Sequence, residues 1–188
     1  MTAFSLAYTL HVLAALIWVG GMFFAWMILR PAAVAALEGP ARLKLWANVF
    51  QRFFVWVWMA VLVLPISGVG LLQLRFSGFE TAPRYVQVMM GLYVVMTALF
   101  IRIQGLMLPE LRTAVDAKDW PAGAAVLGRI RRVVGLNLIV GLVLVAIAAA
   151  IAVTRLLDSR TGRVMRALNV NRGGGSTMPE AMGASAFR

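Results

Sequence analysis

The chain has 188 residues, of which 62% are hydrophobic and 13% charged, whereas soluble proteins average about 45–50% apolar and about 25% charged residues. The composition therefore excludes an ordinary soluble domain. The absence of Cys excludes disulfides and thiolate metal sites, and a single His leaves almost no material for a catalytic triad. Against so apolar a background, the net charge of +11 indicates contact with a membrane surface or cytoplasmic loops and no nucleic acid partner.

Four stretches are long and apolar enough to cross a bilayer, whose core of about 30 Å needs about 20 apolar residues in a helix. They are Ser5–Leu29, Phe53–Leu74, Tyr85–Leu108 and Val133–Leu157. The first has no charged side chain and is longer than the apolar part of a cleavable signal, so we expect it to be retained. The sequence predicts an all-α integral membrane protein, a bundle of four transmembrane helices in the lipid bilayer of the bacterial inner (cytoplasmic) membrane.

The connections between the predicted spans differ in character. The first, Arg30–Arg52, has the spacing of polar residues typical of an interfacial helix on the membrane surface, with Trp46 at the headgroups. The second, Arg75–Arg84, predicts a short turn. The third, Pro109–Arg132, has a helical composition broken at Asp119–Pro121, where we expect the last helix to begin.

The sequence divides into a transmembrane domain, residues 1–157, and a basic, Gly/Ser-containing C-terminal tail, residues 158–188. Within the tail, Thr161–Asn171 can continue as a basic interfacial helix. From Arg172 onward the composition is typical of a flexible segment, which a docking partner could order.

His11 is the first candidate functional residue, because ionisable side chains inside spans commonly have functional roles. Helical spacing places it on one face with small alanines and with Trp18, which could line a cofactor pocket. A neutral imidazole can ligate haem iron or copper. Alternatively, His11 forms a hydrogen bond to a neighbouring helix, and both roles stay open at this stage.

Methionine and arginine supply further candidates. Thioethers are soft ligands for Cu(I) and can be the second axial ligand of haem, and Met89 belongs to the one adjacent pair in the spans. Most of the eleven methionines are expected to be packing residues. Arg129, Arg131 and Arg132, where the last helix begins, could hold haem propionates or lipid phosphates, or could simply mark the cytoplasmic side.

Three other residues inside the spans predict local structure. Pro65 should kink the second span, because proline disrupts the helical hydrogen-bond ladder. Asn137 should face the bundle and form a hydrogen bond across it. Arg102, close to the end of the third span, should extend its charge to the interface.

The opening helix resembles that of the bacterial CopD-like copper-resistance membrane domain, through residues 10–15 (LHVLAA) and 18–22 (WVGGM). More distantly it is similar to HemJ-type protoporphyrinogen oxidases, and the similarity spans all four helices, about residues 4–157. The CopD resemblance implies copper passage across the inner membrane, with a periplasmic copper carrier as partner.

The HemJ resemblance implies a four-helix membrane protein that binds b-type haem through His11. In that family a Lys in a Val-Lys-Leu-Gly-Leu stretch of the third helix is needed for activity, and the matching residues here are 88–92 (VMMGL). Met89 replaces the Lys, which argues against the oxidase activity but offers a His11/Met89 ligand pair.

Three hypotheses follow. The first is haem b bound at His11 in a redox or haem-related role, with Trp18, Met89, Arg129 and Arg132 as further cofactor-binding residues. The second is copper transport or resistance, with His11 and Met89 as metal ligands. The third is a non-catalytic accessory subunit whose basic tail docks on a larger membrane or respiratory-type complex.

Membrane orientation is predicted from the positive charges. Ten of the 18 Lys and Arg residues lie on the side of the first and third connections, nine within them and Arg102 at the end of the third span. The first helix usually dominates orientation, so these connections should be cytoplasmic and both termini outside. A reporter that is active only in the periplasm should therefore be active when fused after Arg155. Activity there of a cytoplasm-specific reporter would invert this orientation.

Overall fold

A computed structural model describes residues 2–76, 78 and 80–173, except for the side chains of residue 76 and residues 160–173. Within this part, every regular element is helical. Four long helices follow one another: α1 (Ala3–Ala36), α2 (Gly39–Phe76), α3 (Arg84–Asp116) and α4 (Trp120–Gly173). Each contains a stretch long and apolar enough to cross a membrane, so the predicted all-α architecture with four spanning helices is confirmed.

The connections are short. Two residues, 37 and 38, separate α1 from α2, and Gly78, with a φ of 141°, lies in the turn between α2 and α3. Between α3 and α4 the chain reverses at Lys118, whose φ of 56° is in the left-handed region. The Asp119 carboxylate then accepts a hydrogen bond from the Ala122 N–H at 3.0 Å and caps α4. The predicted start of the last helix is therefore confirmed.

The first connection differs from the expectation. Residues through Ala36 belong to α1 and those from Gly39 onward to α2, so there is no separate interfacial helix, and Trp46 is buried, with 4% of its surface exposed. The reason is that the apolar stripe of α2 already begins in this segment and faces the other helices. Its buried members are Leu43, Trp46, Phe50, Phe54 and Val57. At about 1.5 Å per residue, α2 greatly exceeds the bilayer core of about 30 Å.

Short π-helical segments interrupt α1 and α3. The described residues contain three such segments, and two of them come directly before a proline: Ala25–Leu29 precedes Pro31, and Ile103–Met107 precedes Pro109. The third, Leu16–Gly20, has no proline nearby. A proline has no N–H, and its ring pushes away the carbonyl four residues earlier. The turn before each proline widens, so that the N–H of Arg30 reaches the carbonyl of Ala25. The helices thus continue past both prolines.

Neighbouring helices run antiparallel. His11 and Gly21 of α1 lie beside Ser67 and Phe53 of α2, in reversed order along the two helices. Three other helix pairs show the same reversed order. For α2 and α3 the contacts are Phe54–Phe100 and Val61–Tyr93, and for α3 and α4 they are Met96–Asn137 and Glu110–Arg129. For α1 and α4 they are Trp26–Gly135 and Val19–Gly141.

Trp18 occupies the centre of this four-helix bundle. Only 2% of its surface is exposed, and its indole meets the edges of Tyr93 and Phe100 with ring centroids 6.3 and 6.2 Å away. Edge-to-face aromatic contacts add to the packing that holds helices together in lipid. Trp18 is therefore a core residue that connects α1 with α3.

The described chain divides into two units, the first ending at Ala146 and the second beginning at Ile147. The four-helix bundle belongs to the first unit, and the described part of the second is helical through Gly173. Residues 174–188 lie outside the described residues, and with them most of the predicted flexible segment. The boundary at 157/158 and the docking role of the tail stay predictions.

Gly21 allows α1 and α2 to approach closely. A Cβ at this position would lie 2.3 Å from Phe53 Cε2, whereas one at Gly20 would meet its nearest neighbour, Leu16 Cδ1, at an ordinary 3.6 Å. Gly21→Ala should therefore destabilise the protein by about 1–3 kcal/mol through overpacking, while Gly20→Ala should leave stability unchanged or raised, because alanine favours helix. Thermal unfolding in detergent measures both variants, and equal stabilities would contradict this packing.

Candidate functional site

His11 makes its described hydrogen bond to α2. Its Nδ1 lies 2.9 Å from Ser67 Oγ, and Gly68 lies beside the ring, where an added Cβ would come within 3.4 Å of His11 Cε1. Small residues at both positions allow the imidazole to rest against α2. The hydrogen bond to a neighbouring helix, one of the two roles that the sequence left open, is therefore present.

The partners of Ser67 determine which imidazole nitrogen carries the proton. Ser67 Oγ is 2.6 Å from the Val63 carbonyl and 3.2 Å from the Leu64 carbonyl, and both of these can only accept hydrogen bonds. A hydroxyl has one proton, which is used here, so Oγ must accept from His11 Nδ1–H. A neutral His11 then has its lone pair on Nε2, as in histidines that ligate metals through Nε2.

Met89 lies on α3 at the same level of the bundle. It is half-buried and shares a helix face with Tyr93. The contacts Tyr93–Val61 and Phe100–Phe54 set the antiparallel register of α2 and α3. In this register Met89, four residues before Tyr93, lies opposite about residue 65 of α2, within one turn of Ser67. The structure thus brings the predicted pair, His11 and Met89, to one end of the bundle on different helices.

The two predicted arginines lie at the other end. Arg129 forms an ion pair with Glu110, and Arg132 is exposed. The antiparallel contacts place Arg129 at about the level of Trp46 on α2. Along the axis of α2, Trp46 is roughly 30 Å from Ser67 at a rise of about 1.5 Å per residue. A single haem cannot contact His11 and these arginines together, so the haem arrangement expected from the sequence does not fit this structure.

The donor set available for a metal is small. In the part of the chain that the structure describes, no group of three or more His, Cys, Asp or Glu side chains could hold a metal ion. One imidazole and several thioethers remain, of which Met22, Met96 and Met107 are buried in the core. This combination of ligands suits Cu(I) better than harder cations.

Asn137 behaves as the sequence predicts. It is 2% exposed, and its Nδ2 donates a 3.3 Å hydrogen bond to the Met96 carbonyl of α3. Gly141, one turn further along α4, packs close to the end of Met96. Met96 is thereby held between α3 and α4.

Ser67 and Tyr93 are functional candidates that sequence reasoning missed. Pro65 lacks the N–H that would reach the Val61 carbonyl four residues earlier. The Tyr93 hydroxyl donates a 2.7 Å hydrogen bond to that same carbonyl from α3. A proline together with isolated hydroxyls in otherwise apolar spans was the available signal, because every polar group in lipid needs a partner.

Removing this hydroxyl tests its role. Tyr93→Phe should destabilise the protein by about 1–3 kcal/mol, because the Val61 carbonyl loses its donor. Tyr8→Phe is the matched control, since Tyr8 is half exposed and its ring stacks on Phe4 without help from the hydroxyl. Thermal unfolding in detergent measures the loss. Adding Pro65→Ala, which restores a backbone donor, should shrink the effect of Tyr93→Phe, and an undiminished effect would refute this explanation.

Comparison with known proteins gives one match. The model of the CopD family, described as copper resistance protein D, matches residues 47–151, more than half of the chain. No curated protein and no solved structure matched the chain. The match includes Met89 but not the first-helix residues that carry the resemblance in the sequence, and it gives no support to a HemJ-type relationship.

The match and the fold agree. Residues 47–151 cover most of α2, all of α3 and the first part of α4, and four helices are apolar and long enough to cross a membrane. The chain is a multi-pass membrane protein that belongs to the CopD family.

Proposed function

We propose that this protein handles copper within the bacterial inner membrane, with Cu(I) as the transported substrate that His11 and methionine thioethers bind in passing. The observation that carries the proposal is the His11–Ser67 hydrogen bond, because it directs the proton to Nδ1 and leaves Nε2 able to bind a metal. Membership of the CopD family supports copper as the ion.

The thioethers lie in a row along the bundle. Met89 and Met96 are seven residues apart, which returns them to nearly the same face of α3. Met107 follows at the end of the widened turn Ile103–Met107, where it is buried as Met96 is. At 1.5 Å per residue the three methionines extend over about 27 Å, close to the thickness of a bilayer core. Trp18 of α1 contacts Phe100 of α3, so the two residues lie at about the same level. Met22, one turn beyond Trp18, is therefore between the levels of Met96 and Met107. The row therefore has ligands at four levels.

Weak binding is an advantage for a transported ion. Conduction requires that each site attract the ion but release it to the next one. One imidazole and separate thioethers give such sites, whereas a cluster of three strong ligands would retain the metal. The absence of a His, Cys, Asp or Glu cluster among the described residues is consistent with passage of the ion.

A polar cleft opens at the Met107 end of the bundle. Its volume is ≈ 590 Å³. One of its lining residues, Asn48 of α2, lies opposite Met107 in the register of α2 and α3, so the cleft is at about the level of Met107. The cleft is lined by Lys44, Ala47, Asn48, Gln51, Arg112, Val115, Asp116 and Lys118. We assign it as the aqueous opening on the cytoplasmic side, in the orientation that the charges predict. A periplasmic copper carrier would then dock at the His11 end.

Cu(I) uptake into proteoliposomes tests the proposal. His11→Ala should abolish uptake, and Ser67→Ala should weaken apparent affinity about tenfold, because partners that orient a ligand typically contribute that much. Met89→Leu should also lower uptake. Met90→Leu is the matched control, because the neighbouring Met90 is 41% exposed and lies on another face of α3.

Thermal unfolding of each variant separates loss of transport from loss of folding. Uptake that persists in folded His11→Ala would contradict the role of the imidazole. Equal effects of Met89→Leu and Met90→Leu would contradict the thioether row while leaving His11 as a ligand.

A further inference from the structure

Four arginines of α2 and α3 indicate where the bundle lies in the membrane. Arg52 and Arg75 enclose a stretch of α2 without charged side chains, and Arg84 and Arg102 enclose such a stretch of α3. At a rise of about 1.5 Å per residue, the two stretches are about 35 and about 27 Å long. A bilayer core is about 30 Å thick, so each helix has the length of one uncharged crossing between its two arginines.

Arg52 and Arg102 lie at one level of the bundle. Phe54 of α2 contacts Phe100 of the antiparallel helix α3. Arg52 is two residues before Phe54, and Arg102 is two residues after Phe100. Both arginines are exposed. The uncharged stretches of α2 and α3 therefore end at the same level, which we call the arginine level.

The exposed surface of the bundle changes its character at about this level. On the side of His11, all four helices expose large apolar side chains, which suit contact with lipid chains. On the other side, the described residues 39–54, 107–116 and 120–135 expose no large hydrophobic side chain. Val34 of α1 is the exception there, and a single exposed apolar residue is common on a surface in water. The outermost exposed apolar residues of the four helices otherwise lie within about two turns of the arginine level and are Ile28, Val55, Leu106 and Leu136.

Beyond the arginine level the bundle is apolar inside and polar outside. The buried residues there include Leu43, Phe50, Leu111 and Ile130. The exposed ones include Lys44, Asn48, Glu110, Asp116 and Arg129. An apolar stripe that faces the neighbouring helices and a charged opposite face are typical of helix bundles in water.

We propose that the bilayer ends at the arginine level and that the bundle continues beyond it into water. The surface between Arg52 and Arg75 then contacts lipid chains, and Arg52 and Arg102 lie among the polar headgroups, where their long side chains are well solvated. The part in water, the extension, consists of residues 39–51, 103–116 and 120–131 and is about 20 Å long. This placement does not depend on copper, but it would make the cleft at the Met107 end accessible from water.

Single cysteines with a nitroxide label test the placement, because the chain has no Cys of its own. The full-length protein is reconstituted into vesicles of phosphatidylethanolamine and phosphatidylglycerol. Electron paramagnetic resonance then compares how strongly each label is relaxed by oxygen, which concentrates in the hydrocarbon, and by a nickel chelate, which stays in water.

Three exposed positions on one face of α2, Asn48, Val55 and Leu62, recur every seven residues and serve as controls for one another. The label in Asn48→Cys should be relaxed more by the nickel chelate. Oxygen should predominate in Val55→Cys and most strongly in Leu62→Cys, so the preference reverses between residues 48 and 55.

A second series on α4 makes the result independent of α2. Ala125→Cys should favour the nickel chelate and Ile139→Cys oxygen, since both positions are exposed on nearly one face. Thermal unfolding checks that each labelled variant is folded. Oxygen preference at residues 48 and 125 would show that lipid covers the extension, and chelate preference at residues 62 and 139 would place the bilayer elsewhere. Either result, or a reversal on one helix alone, would overturn the proposal.

Discussion

The Val61 carbonyl and its hydrogen bond from Tyr93 are central to this structure. Pro65 takes away the helical partner of that carbonyl, and lipid offers no water to replace it. Tyr93 supplies the donor from α3 and, in doing so, brings its ring against Trp18 in the middle of the bundle. The residue that answers one missing backbone N–H thereby contacts both α2 and α1 from α3.

The same stretch of α2 orients His11. Ser67, two residues after Pro65, donates to a carbonyl one turn back and accepts from the imidazole. The proton position on His11 therefore follows from the backbone of another helix. The stretch around Pro65 therefore contacts two neighbouring helices, through Tyr93 at the Val61 carbonyl and through His11 at Ser67. In the proposed function, His11 would supply the nitrogen ligand of a soft metal ion and the thioethers of α3 would complement it.

Much of the fold could be predicted from the sequence, because long apolar stretches, the break at Asp119 and the lone amide Asn137 are local signals. The site could be predicted only in part. His11 and Met89 were identified by chemistry, and they do lie at one level, but Arg129 and Arg132 are at the far end. Which residues meet across helices depends on interhelical register, which composition and periodicity do not contain. Trp46 was misplaced for the same reason, since an amphipathic segment can face either a bilayer surface or a neighbouring helix.

X-ray absorption at the copper edge, on Cu(I)-loaded protein labelled with selenomethionine, tests directly whether His11 and methionine thioethers bind the same copper ion. Selenium distinguishes methionine ligands from every other donor. We expect scattering from one imidazole together with selenium, and loss of the imidazole contribution in His11→Ala. Copper surrounded only by oxygen or nitrogen, or an imidazole signal that persists in His11→Ala, would contradict it.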